Sequence, residues 1–313
     1  MNFRELYMTK RFKLLTPIVG GLACNARCPF CVAGMTPENG VTGKAQAPDL
    51  NAFAKVCAFA KTHHCDSLLL TSKGEPTLWP EQVLQYLKIQ RAFDFKSVEL
   101  QTNGIPIADR KIVTSQHLRQ WREYGLKLIA ISVVHYDAES NRQTYLPHRQ
   151  AYIDLPALIA HLHSFGYAVR LAVVMLRGQI DSSAELQKMM DFARRNRVEQ
   201  LTIRPVNKPD SSRDDEITSF VAANYLPDSA KAEIQAYLET AGTLVERLPW
   251  GGSVYDVGGQ NVCLTNSLTK ADENEDVGRQ LIFLPDGRVS DDWQKEGVTL
   301  DAFERAQQHQ LNQ

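Results

Sequence analysis

Leu14-Leu15-Thr16-Pro17-Ile18-Val19-Gly20-Gly21-Leu22, then Ala23, then Cys24-Asn25-Ala26-Arg27-Cys28-Pro29-Phe30-Cys31: an apolar run of strand length opens directly onto a loop carrying three cysteines. The spacing is C-x3-C-x2-C. Thiolates bind iron–sulfur clusters, and a four-iron cube normally takes four of them. The local count stops at three, which leaves one iron with an open position. Such a position separates a catalytic metal from a structural one. Two other readings stand beside this one, a zinc site and a chance cluster of core cysteines. Zinc normally takes a fourth Cys or His at a recognisable spacing, and none is adjacent. His63, His64 and Cys65 read as a solvated helix end.

Outward from the loop, apolar runs alternate with helix-period segments. The strands expected are Leu14–Leu22, Ser67–Thr71, Ser97–Gln101, Lys127–Val133, Ala168–Met175 and Gln200–Arg204. The helices expected are Leu50–Thr62, Glu81–Phe93, Ser115–Tyr124, Leu155–Phe165, Ser183–Asn196 and Asp228–Ala241. Phe53, Val56, Cys57 and Ala60 recur with the period of one buried helix face. Gly125 and Gly166 stand just past helices, where a left-handed residue costs least. Strict alternation implies a parallel sheet with right-handed crossovers. Six units are too few for an eightfold closed barrel, so the fold class is α/β, a partial (β/α)6 TIM-like barrel. Chemistry is then expected at the C-terminal strand ends.

The pattern changes after Pro205. Residues 1–205 read as the barrel core and 206–313 as an extension that caps it and shapes a substrate region. Residues 207–216 read as a linker, 270–276 as exposed charge, and Pro285-Asp286-Gly287 as a hairpin turn after Leu281–Leu284. The formal net charge of -1 gives no support for duplex nucleic acid or an anionic membrane as partner. No apolar run reaches the length of a membrane span. The basic, Gly-interrupted stretch before Cys24 is too short for a secretory signal, so the expected location is cytoplasmic. Of the scattered cysteines, Cys57 fits a helix core, and Cys65 and Cys263 read as free thiols, with Cys263 a candidate for the substrate site.

The cysteine loop resembles the hallmark of the radical S-adenosylmethionine (SAM) superfamily, C-x3-C-x-aromatic-C after the first strand, with Phe30 as the aromatic. A second likeness is Gly74-Glu75-Pro76 after the second strand, where Lys73 replaces the usual first Gly. The third strand ends Thr102-Asn103-Gly104, similar to the family's Thr-Asn-Gly. Within the superfamily the chain looks most like the molybdenum-cofactor biosynthesis protein A (GTP 3′,8-cyclase) group, without its second-cluster cysteines.

The resemblance implies one [4Fe-4S] cluster on Cys24, Cys28 and Cys31, with SAM on the open iron. Reductive cleavage of SAM would give a 5′-deoxyadenosyl radical that abstracts hydrogen from substrate. It implies SAM contacts from Phe30, Gly74, Glu75, Pro76, Thr102, Asn103, Ser132, Arg170 and Met175. Lys73, Arg204, Asp291 and Trp293 are the candidates for the substrate side. The partners implied are a small-molecule, nucleotide or peptide substrate and an electron donor such as flavodoxin or ferredoxin. A non-catalytic iron–sulfur protein that senses SAM is the alternative of another class.

Overall fold

The computed structural model describes residues 11–145, 150–206, 214–248, 251–265 and 277–310. The expectations for 270–276 and most of 207–216 lie outside these residues. The six expected strands form, as β1 (Arg11–Pro17), β2 (Ser67–Leu70), β3 (Ser97–Thr102), β4 (Leu128–Val133), β5 (Ala168–Met175) and β6 (Gln200–Pro205). They pair parallel in chain order. The C-terminal third adds β7 (Thr243–Arg247), β8 (Ser253–Val257), β9 (Gln260–Leu264), β10 (Val277–Phe283) and β11 (Val289–Ser290).

These later strands join the same sheet, in the order β11-β10-β1-β2-β3-β4-β5-β6-β9-β8-β7. β10 runs parallel to β1, and β9 runs parallel to β6. Two strands from beyond residue 206 thus flank the six-strand core with the same polarity. The change at 205 marks a change in connection, not the edge of the sheet. β10 and β11 form the expected antiparallel hairpin. β1 starts earlier than its apolar run because Arg11 and Phe12 pair with Val277 and Gly278.

The crossover helices are Leu50–Thr62, Pro80–Gln90, Ser115–Glu123, Leu155–Ser164 and Ser183–Arg195. Each side chain of Asp49, Thr114, Asp154 and Ser182 accepts a backbone N–H of the first turn of its helix. Gly125 and Gly166 end two of them with φ of 97° and 79°. Phe53, Val56, Cys57 and Ala60 are buried, as the period requires. Burial of one such aliphatic or aromatic side chain contributes about 1.5–3 kcal/mol.

β3 and β5 alternate strictly between buried and half-buried residues. The buried set, such as Leu100, Val169 and Leu171, joins the helix-facing core. The other set lines the inner face. Cys65 corrects one expectation: it is fully buried, and its thiol donates to the Ser67 carbonyl at 3.3 Å. Its place at the start of β2 draws it into the core. No helix among the described residues is long and apolar enough to cross a membrane.

Candidate functional site

Three loops meet where β1, β2 and β3 end. The Glu75 N–H donates to the Ala23 carbonyl at 3.0 Å, and the Ser72 hydroxyl donates to the Gly21 carbonyl at 3.1 Å. The approach is close enough that only glycine fits at 74: a Cβ there would stand 2.1 Å from the Ala23 oxygen. Asn103 ties the third loop in, donating to Asn25 Oδ1 at 2.6 Å, with Cys24 Sγ 3.9 Å away.

Glu75 is the knot of this corner. Its Oε1 accepts from Thr77 N (2.9 Å), Thr77 Oγ1 (2.5 Å) and Thr102 Oγ1 (2.5 Å), and its Oε2 from Asn103 N (2.8 Å). Burial pushes its carboxyl up, against the pull of the donors from Asn103, Thr102 and Thr77. The side chain that the resemblance assigns to SAM is therefore held by this chain's own donors, with the second lone pair of Oε2 remaining. Pro76 starts a short 3-10 turn behind it, and Thr102 is buried against it.

Cys24 is exposed, and Cys28 and Cys31 are partly exposed. Cys28 and Cys31 pack against an apolar wall that includes Phe30, Met35, Tyr145 and Ile217. Phe30 is buried edge-on to Tyr145, with ring centroids 5.8 Å apart. Although the residue is exposed, desolvation of its sulfur by the surrounding loops pushes the Cys24 thiol up to about 11, assisted by Glu75 and Cys31. Burial and the two other thiols push Cys28 up as well. The three sulfurs therefore share one neighbourhood. Among the described residues, however, no three His, Cys, Asp or Glu side chains converge tightly enough to share one metal ion. Thiolates on separate iron corners stand wider apart than thiolates sharing one zinc at about 2.3 Å. The donor set fits a cluster with one protein-free corner.

The remaining candidates divide. Ser132 accepts from Gln101 Nε2 at 3.2 Å on the half-buried inner face. Met175 ends β5 but is buried in the helix-facing core. Arg170 lies near the start of β5, not its end, and pairs with Glu99 at 2.6 Å. Lys73 is buried, donates to Thr36 Oγ1 (3.1 Å) and the Pro37 carbonyl, and lies 5.5 Å from the centroid of the Trp293 ring. Asp291 pairs with Lys295 at 3.1 Å. Arg288 and Lys295 strap this C-terminal segment to Asn39, at 2.8 and 2.9 Å. Lys73 and Trp293 are thus brought together, and Arg204 stands in a different group, with Arg170 and Arg279.

Sequence reading passed over Asn25, Thr77, Glu99, Tyr145 and Arg279. Thr77 had a usable signal, two residues past an acidic residue in a turn. Asn25 lies within the cysteine loop itself, and Glu99, Tyr145 and Arg279 are brought in by pairing between distant segments.

An open parallel α/β barrel whose first three strands end in a cysteine triad, a Gly-Glu-Pro loop and a Thr-Asn-Gly loop defines an iron–sulfur, SAM-using class of protein. The family model described as Radical SAM superfamily matches residues 18–193, and the chain belongs to that superfamily. The family's cofactors are a [4Fe-4S] cluster and SAM. No curated protein matches the sequence. Among solved structures the chain is similar to Streptococcus suis SuiB bound to its precursor peptide SuiA. Identity is 11%, the TM-score is 0.59, and the match covers 92% of this chain and 61% of that one. SuiB bound to S-adenosylmethionine matches at 11% identity and TM-score 0.55, covering 92% and 60%. These likenesses show the fold, and the chain spans about 60% of the length of SuiB.

Proposed function

We propose that this chain is a radical SAM enzyme, with Cys24, Cys28 and Cys31 anchoring one [4Fe-4S] cluster and SAM occupying the fourth iron corner. When bound, the cluster supplies the electron that reductively splits a carbon–sulfur bond of SAM. The chain's own residues hold the geometry. Glu75, pinned by Thr77, Thr102 and Asn103, keeps the Gly74 backbone against the cysteine loop. Asn103 orients Asn25 beside Cys24. Phe30 and Tyr145 exclude water behind Cys28 and Cys31.

The observation that carries this reading is the backbone contact between the cysteine loop and the Gly-Glu-Pro loop, Glu75 N to Ala23 O. Residues 1–205 then serve the cofactors, and 206–313 the substrate side. The substrate is a small molecule, nucleotide or peptide, and a flavodoxin or ferredoxin supplies the electron. The Thr102-Asn103-Gly104 end of β3 supports a place near the molybdenum-cofactor biosynthesis protein A group. Only one cluster is proposed, since Cys263 is the sole cysteine after Cys65.

Anaerobic reconstitution tests the proposal. Wild type is expected to take up about four irons per chain, as one [4Fe-4S] cube requires, and the triple alanine variant of the three cysteines none. On reduction with SAM, the loaded protein is expected to release 5′-deoxyadenosine. A loaded cluster that never cleaves SAM would favour a SAM sensor instead.

A further inference from the structure

The inner face of the sheet is lined with polar side chains. On β3, β5 and β6 the residues turned from the helices include Glu99, Gln101, Arg170, Thr202 and Arg204, all half-buried. A closed barrel fills this layer with branched apolar side chains. Here the layer is polar and only half-buried.

Nε of Arg170 and Nε of Arg204, near the end of β6, are both buried without an acceptor, but Arg170 has the Glu99 carboxylate and Arg204 has none. Among the described residues no carboxylate pairs with its guanidinium and no group hydrogen-bonds its side chain. Its charged neighbours carry its own sign. Arg170 is already paired with Glu99 at 2.6 Å, and Arg279 donates to Thr265 Oγ1 at 2.9 Å. Burial, then the charges of Arg279 and Arg170, push the Arg204 guanidinium down to about 9, so it still carries its proton at neutral pH. A guanidinium shielded at its Nε and set among like charges, with no counter-charge, destabilises the chain that holds it. A planar fork with free donors matches a carboxylate or phosphate.

We propose that Arg204, flanked by Arg170 and Arg279, receives an oxyanion of the substrate, so that the substrate is an anionic molecule presenting a carboxylate or phosphate to the inner face of the sheet. This deepens the radical SAM reading and rests on it only for the role of the bound molecule. The anion seat itself is independent of SAM cleavage.

Equilibrium dialysis of the reconstituted holoprotein against radiolabelled inorganic phosphate and, separately, acetate tests the seat. Saturable binding of one probe is expected, weakened at least about tenfold in Arg204→Gln and partly restored in Arg204→Lys. Preference for phosphate identifies a phosphoryl group, and preference for acetate a carboxylate. Thermal unfolding without anion gives a second readout. Arg204→Met is expected to melt higher than wild type, because it removes a partly buried charge that lacks a carboxylate partner. Three outcomes would overturn the proposal: neither probe binding saturably, Arg204→Gln binding like wild type, or SAM displacing the probe, which would make the seat that of the SAM carboxylate. A melting point lowered by Arg204→Met would also count against it. Failure of the radical SAM reading would show separately, as absent 5′-deoxyadenosine with anion binding intact.

Discussion

Arg279 Nη2 lies 2.9 Å from Thr265 Oγ1, which links β10, beside β1, to the residue that follows β9, beside β6. The two flanks of the parallel core therefore meet through side chains, where a closed barrel would use a backbone ladder. Thr265 is buried, so its hydroxyl has little water to fall back on. Thr265→Val is expected to lower stability by about 1 kcal/mol in urea unfolding, and Thr265→Ser to retain most of it. Equal midpoints for Val and Ser would show that the link contributes nothing.

Glu75 collects four donors in a buried site, so Glu75→Gln turns an amide N–H₂ against at least one of them. The expected loss is about 2–3 kcal/mol, against about 1 kcal/mol for Thr77→Val. The pH dependence has a definite sign. Burial raises the folded-state carboxyl above its unfolded value, so the folded chain binds the extra proton. Its contribution to stability is therefore expected to fall as pH rises from about 4 through the raised value. Glu75→Gln should flatten that part of the stability profile. An unchanged profile would mean that the carboxyl titrates alike in both states.

Gly74→Ala places a methyl 2.1 Å from the Ala23 carbonyl oxygen. The contact is backbone, which cannot rotate away, so the cysteine loop must move. Iron bound after anaerobic reconstitution is expected to drop by at least about half, with the far-ultraviolet dichroism preserved, since one overpacked contact costs about 1–3 kcal/mol. Full iron loading in this variant would show that the two loops tolerate separation.

Asp66 titrates with the opposite sign to Glu75. Hydrogen bonds from Lys61 (2.8 Å) and Lys96 (2.5 Å) hold its carboxyl down at about 2. The stability it contributes is present above its unfolded value near pH 4 and is lost as pH falls from about 4 to about 2. Asp66 is 43% exposed, so solvent screening keeps the effect near 0.5 kcal/mol. Asp66→Asn is expected to remove that increment at neutral pH and leave none to lose in acid unfolding.

Much of the architecture was legible because it is local. The 3.6-residue period at Phe53, Val56, Cys57 and Ala60 and the glycines 125 and 166 depend on neighbours within a turn or two. The cysteine loop, Gly74-Glu75-Pro76 and Thr102-Asn103-Gly104 each follow their own strand, so a parallel sheet alone places them on one rim. Arg170 shows the limit. Periodicity puts it on the inner face, but only the register with Ala130 and Gln200 sets it low on that face, beside Glu99.

The sequence by itself determined the alternation of strand and helix, the order of the rim motifs and the donor chemistry of the three thiols, because each is a property of adjacent residues. Only the tertiary structure decided that β9 and β10 extend the parallel sheet, that Glu75 is tied to Thr102 and Asn103, and that Arg204 is left among like charges. Those are pairings between segments tens to hundreds of residues apart, set by packing and long-range register, and no local pattern encodes them.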